Sequence, residues 1–142
     1  MEQRDYLLRE IEKMGVLIRA FFGIFSGTDN REVTEPAASL AELKSTMLSE
    51  TGFDLDTFIS LEEADKQDYI SGFVGFNVLN VELLADLLTN ISRQVDLPGR
   101  QTYLKAALHL YSLCNISDKT YVFARENKIH ELTRLIESDG CV

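Results

Sequence analysis

Basic residues are few and scattered in this chain: 14 Lys and Arg stand against 23 Asp and Glu, for a formal net charge of −9. Nucleic-acid affinity relies on clustered Lys and Arg that displace counterions from phosphates, and no basic run occurs here. A nucleic-acid partner is therefore not expected. Cysteine is nearly absent, with Cys114 inside a helical pattern and Cys141 next to the last residue, so a disulfide framework is not indicated. Long apolar runs are missing too. The run at residues 16–25 is interrupted by Arg19 and falls short of the ~20 residues that span a bilayer. Glu2, Asp5, Glu10 and Glu12 precede it, where a secretory signal would carry bases. A soluble, cytoplasmic chain without a membrane span is expected.

Catalytic chemistry is equally sparse. Only His109 and His130 could act as the usual base beside a Ser, Cys or Thr nucleophile. His109 lines up with Thr102, Lys105 and Ser112, and His130 with Glu126, Arg134 and Glu137, so both are expected to face solvent. Glu126 and His130 have a spacing that two metal ligands can use, but no second pair completes a site. Asp54 and Asp56 lack the glycine and closing glutamate of a calcium loop and read as capping and solvated acids. Glu62, Glu63, Asp65 and Asp68 read as the wet side of a helix rather than a catalytic carboxylate pair. Gly72 and Gly75 are not followed by the Lys-Ser/Thr ending of a phosphate loop. An enzyme is not expected, and no cofactor or metal is assigned.

What the chain does have is helical periodicity. With 142 residues, 45% of them hydrophobic, it is long enough to bury a core, and a single domain is expected. Residues 1–25 read as an amphipathic helix in which Leu7, Ile11, Met14, Ile18, Phe22 and Phe25 form one stripe. Val16, Leu17, Phe21 and Ile24 form a second, which is more apolar surface than one buried face requires. Residues 26–38 are polar, contain turn formers and read as a loop. The charge is uneven: residues 26–99 carry fourteen acids and four bases, so the net acidity lies in the middle, as a solvated face or a patch for a basic partner.

The rest, residues 39–142, reads as helical. Ser39 and Glu42 fit a capping box that opens a helix over about 40–50, with Leu40, Leu43, Met47 and Leu48 inward and Gly52 as its stop. Asp54 caps a short turn through Phe58 and Ile59, and Ser60 with Glu63 repeats the box pattern. The glycines at 72 and 75 leave residues 70–80 open between helical and extended. A clear helix follows from about Asn80, with Val81, Leu84, Leu87, Leu88 and Ile91 on one face and Asp96 to Gly99 closing it. Two more are predicted. One, over about 99–115, buries Tyr103, Ala106, Ala107, Leu110, Tyr111 and Cys114; the other, over about 119–138, is capped by Ser117 or Asp118 and buries Val122, Ile129, Leu132 and Ile136.

Tyr103, Ala106, Ala107 and Leu110, followed by Phe123, resemble tetratricopeptide-type helix pairs, with Lys119 where a small residue is usual. That resemblance implies an all-α fold of antiparallel helix pairs, TPR-like toward the C-terminus, in an α-α superhelix. Asp5, Tyr6, Arg9 and Ile11 near the start, and Phe123, Arg125, Glu126 and Ile129 near the end, carry a second likeness. It is similar to a family of small uncharacterised bacterial helical proteins, which implies a bacterial cytoplasmic protein and brings no activity with it. The surplus apolar side chains Leu17, Phe21, Phe22, Ile24 and Phe25 form the candidate interaction surface. The expected function is thus a helical protein–protein interaction or scaffold module that binds another protein or self-associates as a homo-oligomer. The alternative is a regulatory protein that binds a small ligand or metal in a pocket between helices.

Overall fold

The computed structural model describes residues 2–26, 36–95, 97–118 and 123–140, and every regular element among them is a helix. These are α1 (Glu2–Ser26), α2 (Pro36–Thr51), α3 (Leu55–Ser60), α4 (Glu63–Ser71), α5 (Val78–Ser92), α6 (Leu97–Asp118) and α7 (Phe123–Gly140). The all-α expectation holds. Helix lengths run from 6 to 25 residues, so no regular repeat organises the described part of the chain.

One helix explains the arrangement. Asn80, Val81, Leu84, Ala85, Leu87, Leu88, Ile91 and Ser92 are all buried on α5, and positions so spread around a 3.6-residue turn can be covered only from several sides. Helices α1 and α6 provide most of that cover, and α7 packs on α6. Cys114, late in α6, donates its thiol hydrogen to the carbonyl of Val78, at the start of α5. Gln101, early in α6, donates to Ile136, late in α7. The α5–α6 and α6–α7 pairs are therefore antiparallel, and α5 and α7 run in the same direction. Tyr103, Ala106, Ala107, Leu110, Tyr111 and Cys114 all lie in the core as predicted, joined by Leu104 and Leu113. Leu132 is buried and Ile129 and Ile136 are partly buried, whereas Val122 lies outside the described residues.

Helix α1 adds Met14, Ile18, Phe21 and Phe25 to the core shared with α5, and near Ile11 its backbone is also bonded directly. The Asn77 side chain caps α5 by accepting from the Asn80 amide at 3.0 Å, and the buried Asn80 side chain donates to the carbonyls of Ile11 and Gly75, both at 2.8 Å. A Cβ at Gly75 would lie 2.9 Å from the Glu10 carbonyl oxygen. Residues 70–80, left open by the sequence, thus finish α4, turn closely under α1 and start α5. Beside them Phe53 touches the rings of Phe58, Tyr69, Phe73 and Phe76 at centroid distances of 5.1–5.5 Å. This aromatic group holds the short helices α3 and α4 against the body, which their own length could not do.

Several boundaries differ from expectation. Helix α2 starts at Pro36, so residues 36–38 are not loop, Ser39 and Glu42 lie within it, and residues 27–35 lie outside the described residues. Proline suits a first turn because its missing N–H would be unpaired there in any case. Ser60 ends α3, where its hydroxyl donates to the Thr57 carbonyl, and Glu62 caps α4 without a side-chain hydrogen bond. Pro98 and Gly99 belong to the first turn of α6 rather than to a terminator of α5, and α6 continues through Ser117 and Asp118. Two caps match. Asp54 accepts from Thr57 at 3.4 Å, and Gly52, at φ 81°, donates to the Leu48 carbonyl at 2.9 Å. That left-handed residue closes α2 as glycine does without steric penalty. Leu48 itself is exposed, unlike Leu43 and Met47.

Candidate functional site

The residues nominated from α1 do not share one surface. Phe21 and Phe25 are in the core, Phe22 packs against it, Leu17 is half-buried, and Ile24 is exposed. Self-packing therefore takes up most of the apolar surplus. Besides Ile24, the exposed large apolar side chains of α1 are Tyr6, Leu7, Leu8 and Val16. Phe123, part of both resemblances, is exposed.

Charges on three helices meet where α5, α6 and α7 pack. Glu82 and Asp86 are four apart on α5, Tyr111, Asn115 and Asp118 follow one face of α6, and Arg125 and Lys128 are three apart on α7. Each set occupies one helical stripe. The Arg125 side chain is only 5% exposed and is bonded on all sides. Its Nε and Nη2 donate to Glu82 Oε1, both at 2.8 Å, and its Nη1 donates to Asp118 Oδ2 and Asn115 Oδ1, both at 3.0 Å. Asn115 in turn donates to Glu126 at 3.0 Å. Lys128 reaches Glu82 Oε2 at 3.1 Å and Asp86 Oδ1 at 3.0 Å. Its ammonium also lies 5.5 Å from the centroid of the Tyr111 ring, and the Tyr111 hydroxyl donates to Asp86.

The protonation states follow from these contacts. Burial pushes the Glu82 carboxyl up, but hydrogen bonds from Arg125 and Lys128 outweigh it and hold it below the ordinary value. Burial opposes the charge on Lys128, and Asp86 and Glu82 more than restore it, so this ammonium stays charged. Burial, then the hydrogen bond to Asp86, pushes the Tyr111 hydroxyl far up, which fixes it as a donor.

Lys128 and Asp86 also border a cleft of 520 Å³ where α1, α5, α6 and α7 converge. Its wall is mostly apolar, with Phe22 from α1 and Leu132 and Leu135 from α7. Arg93 and Glu131 stand at its exposed rim, where Glu131 is bound by Arg134 at 2.6 Å. A smaller cavity of 340 Å³ between α4, α5 and α6 is lined in part by Cys114. Burial raises that thiol to about 11, so it is neither a nucleophile nor a ready metal ligand at neutral pH.

The other nominated polar residues play local parts. His130 is exposed as expected. His109 is not: it is half-buried, and its enclosed Nε2 has no hydrogen-bond partner among the described residues. Burial, then the neighbouring Lys66, lowers its pKa against the pull of Glu63. Glu63 and Lys66 of α4 lie near this face of α6, which the polar neighbours within α6 could not reveal. Asp54 is the cap described above, Asp56 binds Lys44 at 2.8 Å, and Glu62, Glu63, Asp65 and Asp68 are exposed. Among the described residues no three His, Cys, Asp or Glu side chains are placed to hold a metal, and no helix is long and apolar enough to cross a membrane. No family model, curated protein or solved structure matches the chain.

Proposed function

We propose that the protein is a non-enzymatic, cytoplasmic helical binding module whose binding site is the cleft between α1, α5, α6 and α7. The cleft itself carries this reading. Its 520 Å³ lies within the ~300–1,000 Å³ typical of small-ligand sites. A mostly apolar wall with a few placed polar groups is the usual composition of such sites, because apolar area supplies affinity and the polar groups orient the ligand. Three of the polar side chains there are already paired with one another. Tyr111 donates to Asp86 and Lys128 bridges two carboxylates.

Thermal melts against a panel of small amphipathic compounds test the reading. A ligand that binds only the native state, present at about 100 times its Kd, adds about 2.7 kcal/mol. Leu135→Glu, on the cleft wall, should remove that gain. A panel without a single shift, or shifts that persist in the variant, would reject the cleft as the site.

Self-association is supported by a separate observation. Tyr6, Leu7 and Leu8 are 54%, 42% and 56% exposed, and three successive helical residues span too wide an arc to share one buried stripe. Arg4, Leu8 and Glu12, all exposed, follow each other at four-residue steps. In an antiparallel pairing centred on Leu8, Arg4 of each copy meets Glu12 of the other. Light scattering after size exclusion should show a dimer that Leu8→Glu converts to monomer. A strictly monomeric wild type would end this reading.

A further inference from the structure

We infer that the cleft selects ligands that join an apolar group to a protonated amine, with the Asp86 carboxylate as their anchor; this rests on the reading of the cleft as a binding site. The argument starts from how Asp86 is used. Its two contacts, from the Tyr111 hydroxyl and the Lys128 ammonium, both fall on Oδ1. Among the described residues Oδ2 accepts no hydrogen bond, although an ionised carboxylate has acceptor sites on both oxygens. Asp86 is 22% exposed and stands in the cleft wall, so a ligand can reach it.

Charge points the same way. Lys128 divides one positive charge between Asp86 and Glu82, and Arg125 binds Glu82 and Asp118 without reaching Asp86. Asp86 thus holds only a share of one cation, and it borders the mostly apolar wall of the cleft. The ring of Tyr111 already holds a cation on its face, since the Lys128 ammonium lies 5.5 Å from its centroid. With that face taken, a ligand ammonium would pair with the open Asp86 oxygen, while its apolar part covers Phe22, Leu132 and Leu135. At the rim Arg93 is hydrogen-bonded to Asn90 at 3.3 Å and Glu131 is held by Arg134. Those two opposite charges do not favour an anion over a cation. The excess of 23 acids over 14 bases adds a long-range attraction for cations.

Lys128 then acts as an internal competitor for Asp86, which gives the inference a signature that cleft shape alone would not produce. Three compounds with one phenyl-alkyl skeleton serve as probes: phenethylamine, hydrocinnamate and phenethyl alcohol. Their affinities are measured by calorimetry on the full chain at neutral pH, with NMR shifts locating the site. The amine should bind best. Asp86→Asn should weaken it by roughly 10- to 100-fold, the loss of one charged hydrogen bond, and leave the alcohol unchanged. Lys128→Met should tighten the amine and not the alcohol. Equal binding of the three probes, or preference for the carboxylate, overturns amine selectivity while leaving the cleft a binding site. If none binds to the wild type or to Lys128→Met, the cleft reading falls as well. Should Asp86→Asn fail to fold, the sign of the Lys128→Met effect still decides: weaker or unchanged amine binding refutes the inference.

Discussion

Arg125→Met should destabilise the protein more than any other single change in the charge cluster. Arg125 makes four short contacts, two to Glu82 and one each to Asp118 and Asn115, from a side chain that is 5% exposed. Removing one member of a fully buried ion pair costs about 3–5 kcal/mol, mostly from the charge left behind. Glu82 and Asp118 retain 21% and 25% exposure, and Lys128 still neutralises part of Glu82, so water and the remaining ammonium recover some of that loss. About 2–3 kcal/mol is the expected cost. A chain of 142 residues has an unfolding entropy near 0.3 kcal/mol/K, which converts the loss to roughly 7–10 °C in Tm.

Urea denaturation followed by far-UV circular dichroism measures the effect, and two further arms separate its cause. Arg125→Met combined with Glu82→Leu removes the stranded charge, so the double variant should recover at least half of the loss. The acid limb should change as well. A carboxyl held below its ordinary value contributes stability that is present above 4.5, the usual glutamate value, and lost as pH falls below it. Glu82 contributes in that window through Arg125 and Lys128, and Arg125→Met should flatten this part of the pH profile. A single variant within about 0.5 kcal/mol of wild type, the range of ordinary surface changes, would refute the reasoning. So would a double variant no better than the single one.

Gly75→Ala and Gly23→Ala should act in opposite directions. A Cβ at Gly75 meets the Glu10 carbonyl oxygen at 2.9 Å and Met14 Cβ at 3.1 Å, and such overpacking costs about 1–3 kcal/mol; among the described residues nothing lies within 4 Å of a Cβ at Gly23, so alanine there should add about 0.5–1 kcal/mol of helix stability. Urea midpoints check both. His109 gives a pH window of its own: because burial lowers its pKa in the folded state, stability should begin to fall as pH drops through the ordinary histidine value of 6.5. His109→Gln should flatten the melting midpoint between pH 7 and 5 while leaving the glutamate limb below it, and an unchanged slope would contradict the burial argument. In a Cys141→Ser background Cys114 should react with a thiol reagent only at the rate of opening or unfolding, since burial raises it to about 11; immediate labelling of the native protein would count against it.

Much of the fold was legible because apolar spacing survives folding. Val81, Leu84, Leu87, Leu88 and Ile91, and then Tyr103, Ala106, Ala107, Leu110, Tyr111 and Cys114, occupy the core that their periodicity predicts. The pattern says which face is buried and not where the cover ends. On α1 the stripe continues through Leu7, but the body stops near Ile11, so residues 4–9 are exposed while Phe21 and Phe25 are enclosed. Capping boxes misled for a similar reason. Ser39 with Glu42 and Ser60 with Glu63 have the required spacing, but a cap also needs an extended backbone at the serine, and both serines are helical.

The candidate site was not legible, because no single helix contains it. On their own elements Glu82, Asp86, Asn115, Arg125 and Lys128 look like solvated positions between apolar ones. Only the register of α5, α6 and α7, which periodicity does not encode, brings them together. The cluster then divides into two parts with different consequences. Arg125 with Glu82 ties α7 to α5 from a nearly closed position, whereas Asp86 with Lys128 opens onto the cleft. Well-packed apolar residues could hold three helices as firmly as a buried ion pair, so stability alone does not account for both parts. The first part sets how α7 is aligned; the second is what a ligand can exploit. If that division is correct, Arg125→Met, which leaves Glu82 to share Lys128, keeps amine selectivity once folded, while Asp86→Asn loses it. Loss of selectivity from both in proportion to stability would mean that the cluster serves packing alone.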